Sequence, residues 1–263
     1  MRLRALALAT ATGLVLTVAP ATAAEAARKP AYKVSISTST ANPSVGTTVK
    51  VTGKVTGPKA AKKRLLVQRK VGAGKWTTVA KVRTTKSRKY AARVKVSTAG
   101  KHAVRVVAPK SSKARAGSSR ARSFTGWRWL DLTKQPNQGG GDIVNGPVTI
   151  AGKSYPKAFT FRYSGVYFNT GGKCTTLRGS VGTPDPVGAS LLALTFANQD
   201  LDDALEYRTV VAAGAAPKAA SYPVSGKPVV AFGDGGGEGR VSIVAPELRC
   251  SINALPAMEL PPL

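Results

Sequence analysis

Apolar and polar residues alternate in short bursts along most of this chain, and turns rich in glycine, proline and serine separate the bursts. A clear example is the burst in which Tyr90, Ala92, Val94 and Val96 alternate with small or charged residues. Because successive side chains of a strand point to opposite faces, this period of two predicts strands with one buried face. The pattern therefore predicts an all-β protein.

Between residues 32 and 108 the bursts recur at close intervals. Six or seven short strands are predicted there, joined by turns such as NPSVG and VGAGK. That number of strands at that spacing predicts an immunoglobulin-like sandwich. Trp76 is expected to pack in its core, whereas the charged residues that alternate with apolar ones are expected to face solvent.

Residues 124–255 predict a second β-sandwich. Their most regular stretch, residues 153–182, holds three apolar bursts that each end at a glycine turn. No helical period survives there over more than about one turn. Eight or nine strands in a segment of this length predict a jelly-roll sandwich rather than a barrel.

The remaining segments lack this alternation. Residues 1–23 combine two arginines, an apolar run and a small-residue cleavage site, which is the pattern of a secretory signal peptide. Residues 24–31 are expected to be a tether, residues 109–123 a mobile basic Ser/Ala linker, and residues 256–263 a tail. No apolar stretch remains that could span a membrane after signal cleavage. The protein is therefore expected to be secreted, either extracellular or associated with the cell wall.

The net charge of +28 is divided very unevenly between the two predicted sandwiches. Residues 26–122 hold 26 lysines and arginines and no acid, whereas residues 123–263 hold 12 against 11 acids. Uncompensated positive charge predicts a polyanionic partner, bound electrostatically and more weakly as salt rises. Outside the cell this partner is expected to be an anionic polymer of the cell envelope, with anionic lipids and extracellular DNA as the alternatives. Aromatic residues are scarce in residues 26–122 and no nucleic-acid motif is present there, so sequence-specific nucleic-acid binding is not expected. The candidate polyanion-binding residues are Lys81, Arg83, Arg93, Lys95 and Arg105.

Two cysteines, Cys174 and Cys250, are the only ones in the chain. In an oxidising compartment they allow one disulfide, which predicts that they are bonded to each other. The alternatives are a metal site, for which no histidine lies near, or a reactive thiol. A disulfide here would close a loop of 76 residues.

Two resemblances add to this picture. The runs GTTVKVTGKVTGP and LLVQRKVGAGKWTTVAKV resemble immunoglobulin-like modules of secreted bacterial surface proteins, over about residues 32–108. In such proteins these modules are usually spacers or adhesion elements, which implies a non-catalytic role for this half of the chain.

The second half is similar to the NPCBM family of candidate carbohydrate-binding modules, which are often attached to glycoside hydrolases. The run YPKA at residues 155–158 and the following VYFNTGGKCTTLRGSVG carry this resemblance, which extends over roughly residues 127–252. It implies a galactose-binding-like β-sandwich. The chain departs from the family in its longer turn at residues 200–203 and in its closing segment, residues 240–247, where the family often carries an Asp and a Trp.

Aromatic residues of the second half are the candidate sugar platforms, because a ring can stack on the C–H face of a pyranose. Packing in the core is the alternative for each of them, and Trp129 is expected to cap the core. Tyr163 and Tyr167 rank first because they flank a turn at the end of a strand. The full set of candidates is Tyr163, Tyr167, Trp127, Arg162 and Tyr207, with Tyr222 as a further aromatic.

Catalytic residues are not expected. The only histidine, His102, lies on a basic strand without an acid in its half of the chain, so a nucleophile–histidine–acid arrangement would have to cross the linker. Most acids of the second half lie in short turns, where aspartate is favoured locally, although a glycosidase pair remains an alternative. No cofactor is predicted, with calcium the one alternative, for which the candidate ligands are Asp200, Asp202 and Asp203.

The sequence thus predicts a secreted, non-catalytic, glycan-binding protein whose cationic module tethers it to an anionic envelope polymer. The alternatives are a structural or adhesion protein that binds protein rather than sugar, and a small glycan hydrolase.

Overall fold

The computed structural model of the protein describes residues 29–186, 190–197, 205–234 and 239–258. The predicted signal peptide at residues 1–23 and the calcium candidates Asp200, Asp202 and Asp203 lie outside these residues. Within them the chain forms strands, turns and one short 3₁₀ helix at Leu132–Lys134. The all-β prediction is therefore confirmed. None of the described residues belongs to a helix with the length and apolar character needed to span a bilayer.

Residues 29–126, all of which are described, form the first sandwich. Its nine strands are β1 (Lys33–Val34), β2 (Ser37–Thr38), β3 (Thr48–Thr56), β4 (Arg64–Val71), β5 (Thr77–Arg83), β6 (Lys89–Lys95), β7 (Gly100–Ala108), β8 (Gly117–Ser118) and β9 (Arg122–Gly126). They form two antiparallel sheets: in one, β3 lies between β6 and the short β1 and β2, and in the other β4 and β7 are central, flanked by β5 and by β8 and β9. The chain crosses between the sheets after β3, β5 and β6, which buries one face of each sheet against the other.

The core of the first sandwich follows the predicted alternation. Tyr90, Ala92, Val94 and Val96 are all buried, as the period of two requires. The hydroxyl of Tyr90 donates a hydrogen bond to the carbonyl oxygen of Ser35 at 2.7 Å, so the polar atom of this buried side chain is paired. Burial raises the pKa of this Tyr90 hydroxyl.

The segment predicted to be a mobile linker, residues 109–123, is instead part of the first sandwich. Its strands β8 and β9 pair with β7 and complete the second sheet. Phe124, expected to open the second half, is buried in the first core and stacks on His102 with ring centres 4.8 Å apart. The reason is that the segment fills core positions with small residues such as Ala114 and Ser119, which a search for large apolar residues overlooks. The first sandwich therefore ends at Gly126.

The second sandwich is one continuous antiparallel sheet that folds over onto itself. Within the described residues the strands are β10 (Arg128–Asp131), β11 (Gln138–Ile150), β12 (Lys153–Asn169), β13 (Cys174–Gly182), β14 (Ser190–Ala197), β15 (Leu205–Val211), β16 (Lys218–Pro223), β17 (Val229–Asp234) and β18 (Val241–Cys250). The central strands run in the order β15-β14-β17-β12-β18-β13-β16, with β10 beside β18 and β11 beside β12.

The long strand β12 makes this fold possible because it changes partner halfway. Residues 158–161 pair with β18, and residues 165–169 pair with β17. Between them the backbone of Tyr163 is left-handed, with φ of 52°. The two halves of the sheet enclose a phenylalanine cluster, in which the Phe232 ring centre lies 5.4–5.9 Å from those of Phe159, Phe161 and Phe168.

The predicted disulfide is confirmed. Cys174 and Cys250 are bonded, are directly opposite each other on β13 and β18, and are buried. The bond ties the end of the last strand to the start of β13, and it closes a loop of 76 residues. On the chain-entropy account such a loop stabilises the fold by roughly 4–5 kcal/mol.

The two sandwiches are joined directly, since only Trp127 lies between β9 and β10. The side-chain oxygen of Asn253 accepts hydrogen bonds from the Thr98 hydroxyl at 2.9 Å and from the Ala99 backbone N–H at 3.1 Å. Trp127 pairs through its backbone with residues 43–45 of the first sandwich. The junction therefore continues the strand structure and is fixed by the Asn253 hydrogen bonds and by the backbone pairing of Trp127. A flexible linker was predicted in its place.

Candidate functional site

The cations of the first sandwich lie side by side across the strands. On the sheet that contains β3 and β6, Lys50 is directly opposite Arg93 and Lys54 is directly opposite Lys89. All four side chains are exposed, as is Lys95 at the end of β6. Like charges directly opposite one another on adjacent strands are destabilising. The outward positions predicted for Arg93 and Lys95 therefore belong to a cationic face without a counter-charge in its own half of the chain.

The opposite sheet repeats this arrangement at one end. Arg64 on β4 is directly opposite Arg83 on β5, and Lys81 lies two residues earlier on the same face. These three exposed cations, together with Val82, line a cavity of about 310 Å³. Lys81 and Arg83 were predicted from the sequence, but the contribution of Arg64 emerges only from the pairing of the strands.

Arg105 differs from the other predicted cations because it is engaged within the sandwich. Its Nε donates to the side-chain oxygen of Gln68 at 2.9 Å, and its guanidinium lies 4.4 Å from the centre of the Trp76 ring. Lys70 approaches the same ring at 5.5 Å. Trp76 was expected in the core and is instead half-buried on the outer face, where cation–π contacts with these two side chains hold it.

Tyr163 and Arg162 lie together at the bend of β12. Tyr163 is 65% exposed, and no other aromatic residue whose side chain the structure describes is exposed to this degree. Its backbone N–H donates to the Asp234 carboxylate at 3.0 Å, and the Arg162 guanidinium lies 5.4 Å from its ring centre. A left-handed backbone costs a non-glycine residue roughly 1–2 kcal/mol. The fold therefore holds an aromatic ring toward solvent in a strained conformation, beside one cationic and one anionic group.

The other predicted sugar platforms lie elsewhere and are less open. Tyr167 is half-buried on the outward side of β12, and Tyr207 packs against the core, with its ring centre 5.4 Å from that of Tyr222. Trp127 is at the junction, where its indole N–H donates to Asn42 at 3.2 Å and Arg249 lies over its ring. The predicted aromatic residues therefore do not form one site.

Trp129 was expected to cap the core, but its neighbour Leu130 occupies that position and Trp129 faces outward. The guanidinium of Arg178 lies 3.8 Å from the Trp129 ring centre and donates to Glu247 at 2.6 Å and 2.8 Å. A groove of about 460 Å³ opens beside this pair, with small residues of β13, β16 and β18 as its other lining. Arg178 and Glu247, the two charged residues that line this groove, are therefore already bonded to each other.

The carboxylates of the second sandwich whose side chains the structure describes are all engaged. Asp131 binds Lys157 at 2.6 Å, Asp142 binds Arg240 at 2.8 Å, and Asp185 accepts from two backbone N–H groups. Burial alone would raise the pKa of Asp131, but hydrogen bonds from Lys157 and Thr133 outweigh it and lower that pKa. The described residues contain no cluster of three or more metal-ligating side chains.

His102 is buried, and its ring stacks on Phe124. Its Nε2 donates to the Thr98 carbonyl oxygen at 2.9 Å, while its Nδ1 has no hydrogen-bond partner among the described residues. Burial is the main reason why the pKa of His102 is lowered, so the ring is neutral at physiological pH. Its position beneath the junction residues Thr98 and Gly126 gives it a structural role.

No protein-family profile and no curated protein sequence matches this chain. Among solved structures, the chain is similar to a crystal structure described as a "putative membrane anchored protein" from Corynebacterium diphtheriae, at 11% identity and a TM-score of 0.27. The alignment covers 85% of this chain and 52% of that chain, so the present chain spans about half the length of that protein. Similarity of this degree assigns neither a family nor a function to the chain.

Proposed function

We propose that this protein is a secreted, non-catalytic binding protein whose first sandwich attaches it to an anionic polymer of the cell envelope. The observation that carries the proposal is the pairing of like charges across β3 and β6, within residues 26–122, which contain no acid. Such pairs repel one another in the free protein, and a polyanion lying across them would supply the missing counter-charge. Export is supported by the signal-peptide pattern of residues 1–23 and by the disulfide, since disulfides persist in oxidising compartments.

The experiment that tests attachment is retention on purified cell walls over a range of salt concentrations. Full-length mature protein is expected to bind walls at low salt and to be released progressively as salt rises, because counter-ions compete for the same charges. Walls from which the anionic polymers have been extracted serve as the control and are expected to retain much less protein. Retention that is indifferent to both salt and extraction would contradict the proposal.

For the second sandwich we propose glycan binding, a function that the NPCBM resemblance also implies, and we propose the bend of β12 as its site. The supporting observation is Tyr163, which is held toward solvent with Arg162 and Asp234 beside it. An exposed ring next to hydrogen-bonding groups is what a pyranose needs for stacking and for its hydroxyl groups. The engagement of the described carboxylates in ion pairs and turns favours binding over hydrolysis, because hydrolysis needs two free carboxyl groups that face each other.

A glycan array tests this second function, and it should use the whole mature chain because Phe124 and β9 belong to the first core. The wild-type protein is expected to bind at least one polysaccharide at a salt concentration that suppresses polyanion binding. Replacement of Tyr163 by Asn, which tolerates a left-handed backbone, is expected to abolish that binding. Release of reducing ends would instead favour a hydrolase, and an empty array would favour a protein-binding adhesion module.

A further inference from the structure

The cavity between Arg64, Lys81 and Arg83 has the composition of an anion site. None of the three side chains makes a hydrogen bond or an ion pair with another described residue, and all three are exposed. Arg64 and Arg83 extend from adjacent strands at directly opposite positions, so their guanidinium groups can approach one anion from two sides. Each guanidinium presents a planar fork of donors that suits the oxygens of a phosphate group.

Three loops extend this cationic surface over the end of the first sandwich that lies away from the second sandwich. They are residues 57–63, 84–88 and 109–116, which join β3 to β4, β5 to β6 and β7 to β8. Thr84 holds the first two together, because its hydroxyl donates to the Ala60 carbonyl oxygen at 2.7 Å and accepts from the Lys63 N–H at 2.8 Å. Together the loops add eight cations: Lys59, Lys62, Lys63, Lys86, Arg88, Lys110, Lys113 and Arg115.

Three of these loop cations have a left-handed backbone. The φ angles are 50° at Lys59, 54° at Lys62 and 65° at Arg88. Glycine or asparagine adopts this conformation at much lower cost, so a long charged side chain is an expensive choice at each position. Strained backbone of this kind concentrates at binding sites, where the strain fixes the direction of a side chain.

We propose that the cleft formed by Arg64, Lys81 and Arg83, with the three cationic loops around it, binds the phosphate groups of a phosphodiester polymer. This inference rests on the proposed attachment to an anionic polymer and names its chemistry and its principal site. A flexible polymer fits better than a lipid surface, because the cations face several directions: the outer faces of both sheets and the end of the sandwich. A flat bilayer would meet only one of these surfaces, whereas a chain can follow all of them.

A purely structural role for these charges gives a different expectation. Strand β5 pairs only with β4 and is therefore an edge strand, and charged side chains on an edge oppose pairing with a second molecule. If this were their whole role, replacement of the cleft cations would promote self-association. It would weaken polymer binding no more than the replacement of any other three exposed cations does.

The test compares two variants of the full mature chain that lose equal charge. The first replaces the cleft cations (R64Q/K81Q/R83Q), and the control replaces three exposed cations that lie outside the cleft, the three loops and the β3–β6 face (K101Q/R120Q/R122Q). Binding of poly(glycerol phosphate) is measured by calorimetry at about 100 mM salt, where long-range attraction between exposed charges is largely screened. The cleft variant is expected to bind at least ten-fold more weakly than wild type, and the control is expected to lose less than about three-fold.

Further arms separate the remaining possibilities. Arg83→Lys keeps the positive charge but removes the planar guanidinium, and it is expected to weaken binding of poly(glycerol phosphate) several-fold. This single variant tests the site even if the triple variant does not fold. Polygalacturonate and phosphatidylglycerol vesicles are expected to bind more weakly than poly(glycerol phosphate); tighter binding of either would overturn the phosphate or the polymer assignment. Equal losses of affinity in the two triple variants would contradict the cleft as the phosphate-binding site but not the proposed attachment to an anionic polymer. Absence of binding by the wild-type protein would contradict the proposed attachment itself.

Discussion

The two sandwiches differ in whether their charged side chains are paired within the fold. In the second, charged side chains pair with one another, as Asp131 does with Lys157 and Glu247 with Arg178. In the first, Lys50 is opposite Arg93 and Arg64 is opposite Arg83, without an acid anywhere between residues 26 and 122. The difference teaches that the charges of the second sandwich are paired within the fold, whereas those of the first have no acid in residues 26–122 to pair with, which is the basis of the proposed attachment to a polyanion.

The largest expected effect comes from the disulfide, which only the second sandwich possesses. Replacement of both Cys174 and Cys250 by serine is expected to destabilise the protein by roughly 4–5 kcal/mol, because the unfolded chain regains the freedom of a long loop. Urea unfolding followed by tryptophan fluorescence measures the change. Hydrogen exchange should show the loss chiefly in β13 and β18, and equal loss in β4 and β7 would contradict the separation of the two cores.

The junction provides the next largest effect and decides how independent the two sandwiches are. Asn253→Ala removes the acceptor of the Thr98 hydroxyl and the Ala99 N–H, which is expected to cost about 1–1.5 kcal/mol and to let the angle between the sandwiches vary more widely. Small-angle scattering reports the angle and thermal unfolding reports the stability. Asn145→Ala, which removes an exposed hydrogen bond to Thr133 within the second sandwich, is the control and should leave the scattering unchanged.

Tyr163 permits a prediction in which stability and binding move in opposite directions. Tyr163→Gly is expected to stabilise the protein by about 0.5–1 kcal/mol, because glycine adopts a left-handed backbone without the penalty paid by tyrosine. The same change removes the proposed sugar platform. A variant that is more stable and retains full glycan binding would show that the strain serves something other than sugar recognition.

The smallest expected effect is on the stability of the protein at mildly acidic pH. Because burial lowers the pKa of His102, the unfolded chain binds a proton more readily than the folded one, and stability falls as pH drops below about 6.5. His102→Phe keeps the stacking on Phe124 and is expected to remove this part of the pH dependence. Asp131, whose pKa is lowered, adds a separate loss nearer pH 4 that the variant should retain. Identical pH profiles for both proteins between pH 6.5 and 5 would contradict this role of His102.

Much of the fold could be predicted because its signals are local or follow from counting. The alternation at Tyr90, Ala92 and Val94 gives the inward face of β6, and two cysteines allow a single intramolecular pairing. The charge division needs no structure at all. These features depend on the period of a strand and on composition, which a single sequence contains.

The features that the sequence did not reveal depend on strands that meet from distant parts of the chain. Trp76 and Trp129 were expected inside, but Arg105 and Arg178, from other strands, cover them on the outside. The expected linker proved to be two strands because Ala114 and Ser119 fill small core positions. The pairing of Arg64 with Arg83 likewise depends on the register between β4 and β5, which alternation alone does not fix.

Hydrogen exchange of the full mature chain, with and without poly(glycerol phosphate), tests the central contrast most directly. The account predicts added protection in the first sandwich, strongest around residues 57–64 and 81–88, and little change in the second sandwich away from the junction. Protection concentrated in the second sandwich, or none in the first at a polymer concentration that saturates binding, would contradict it.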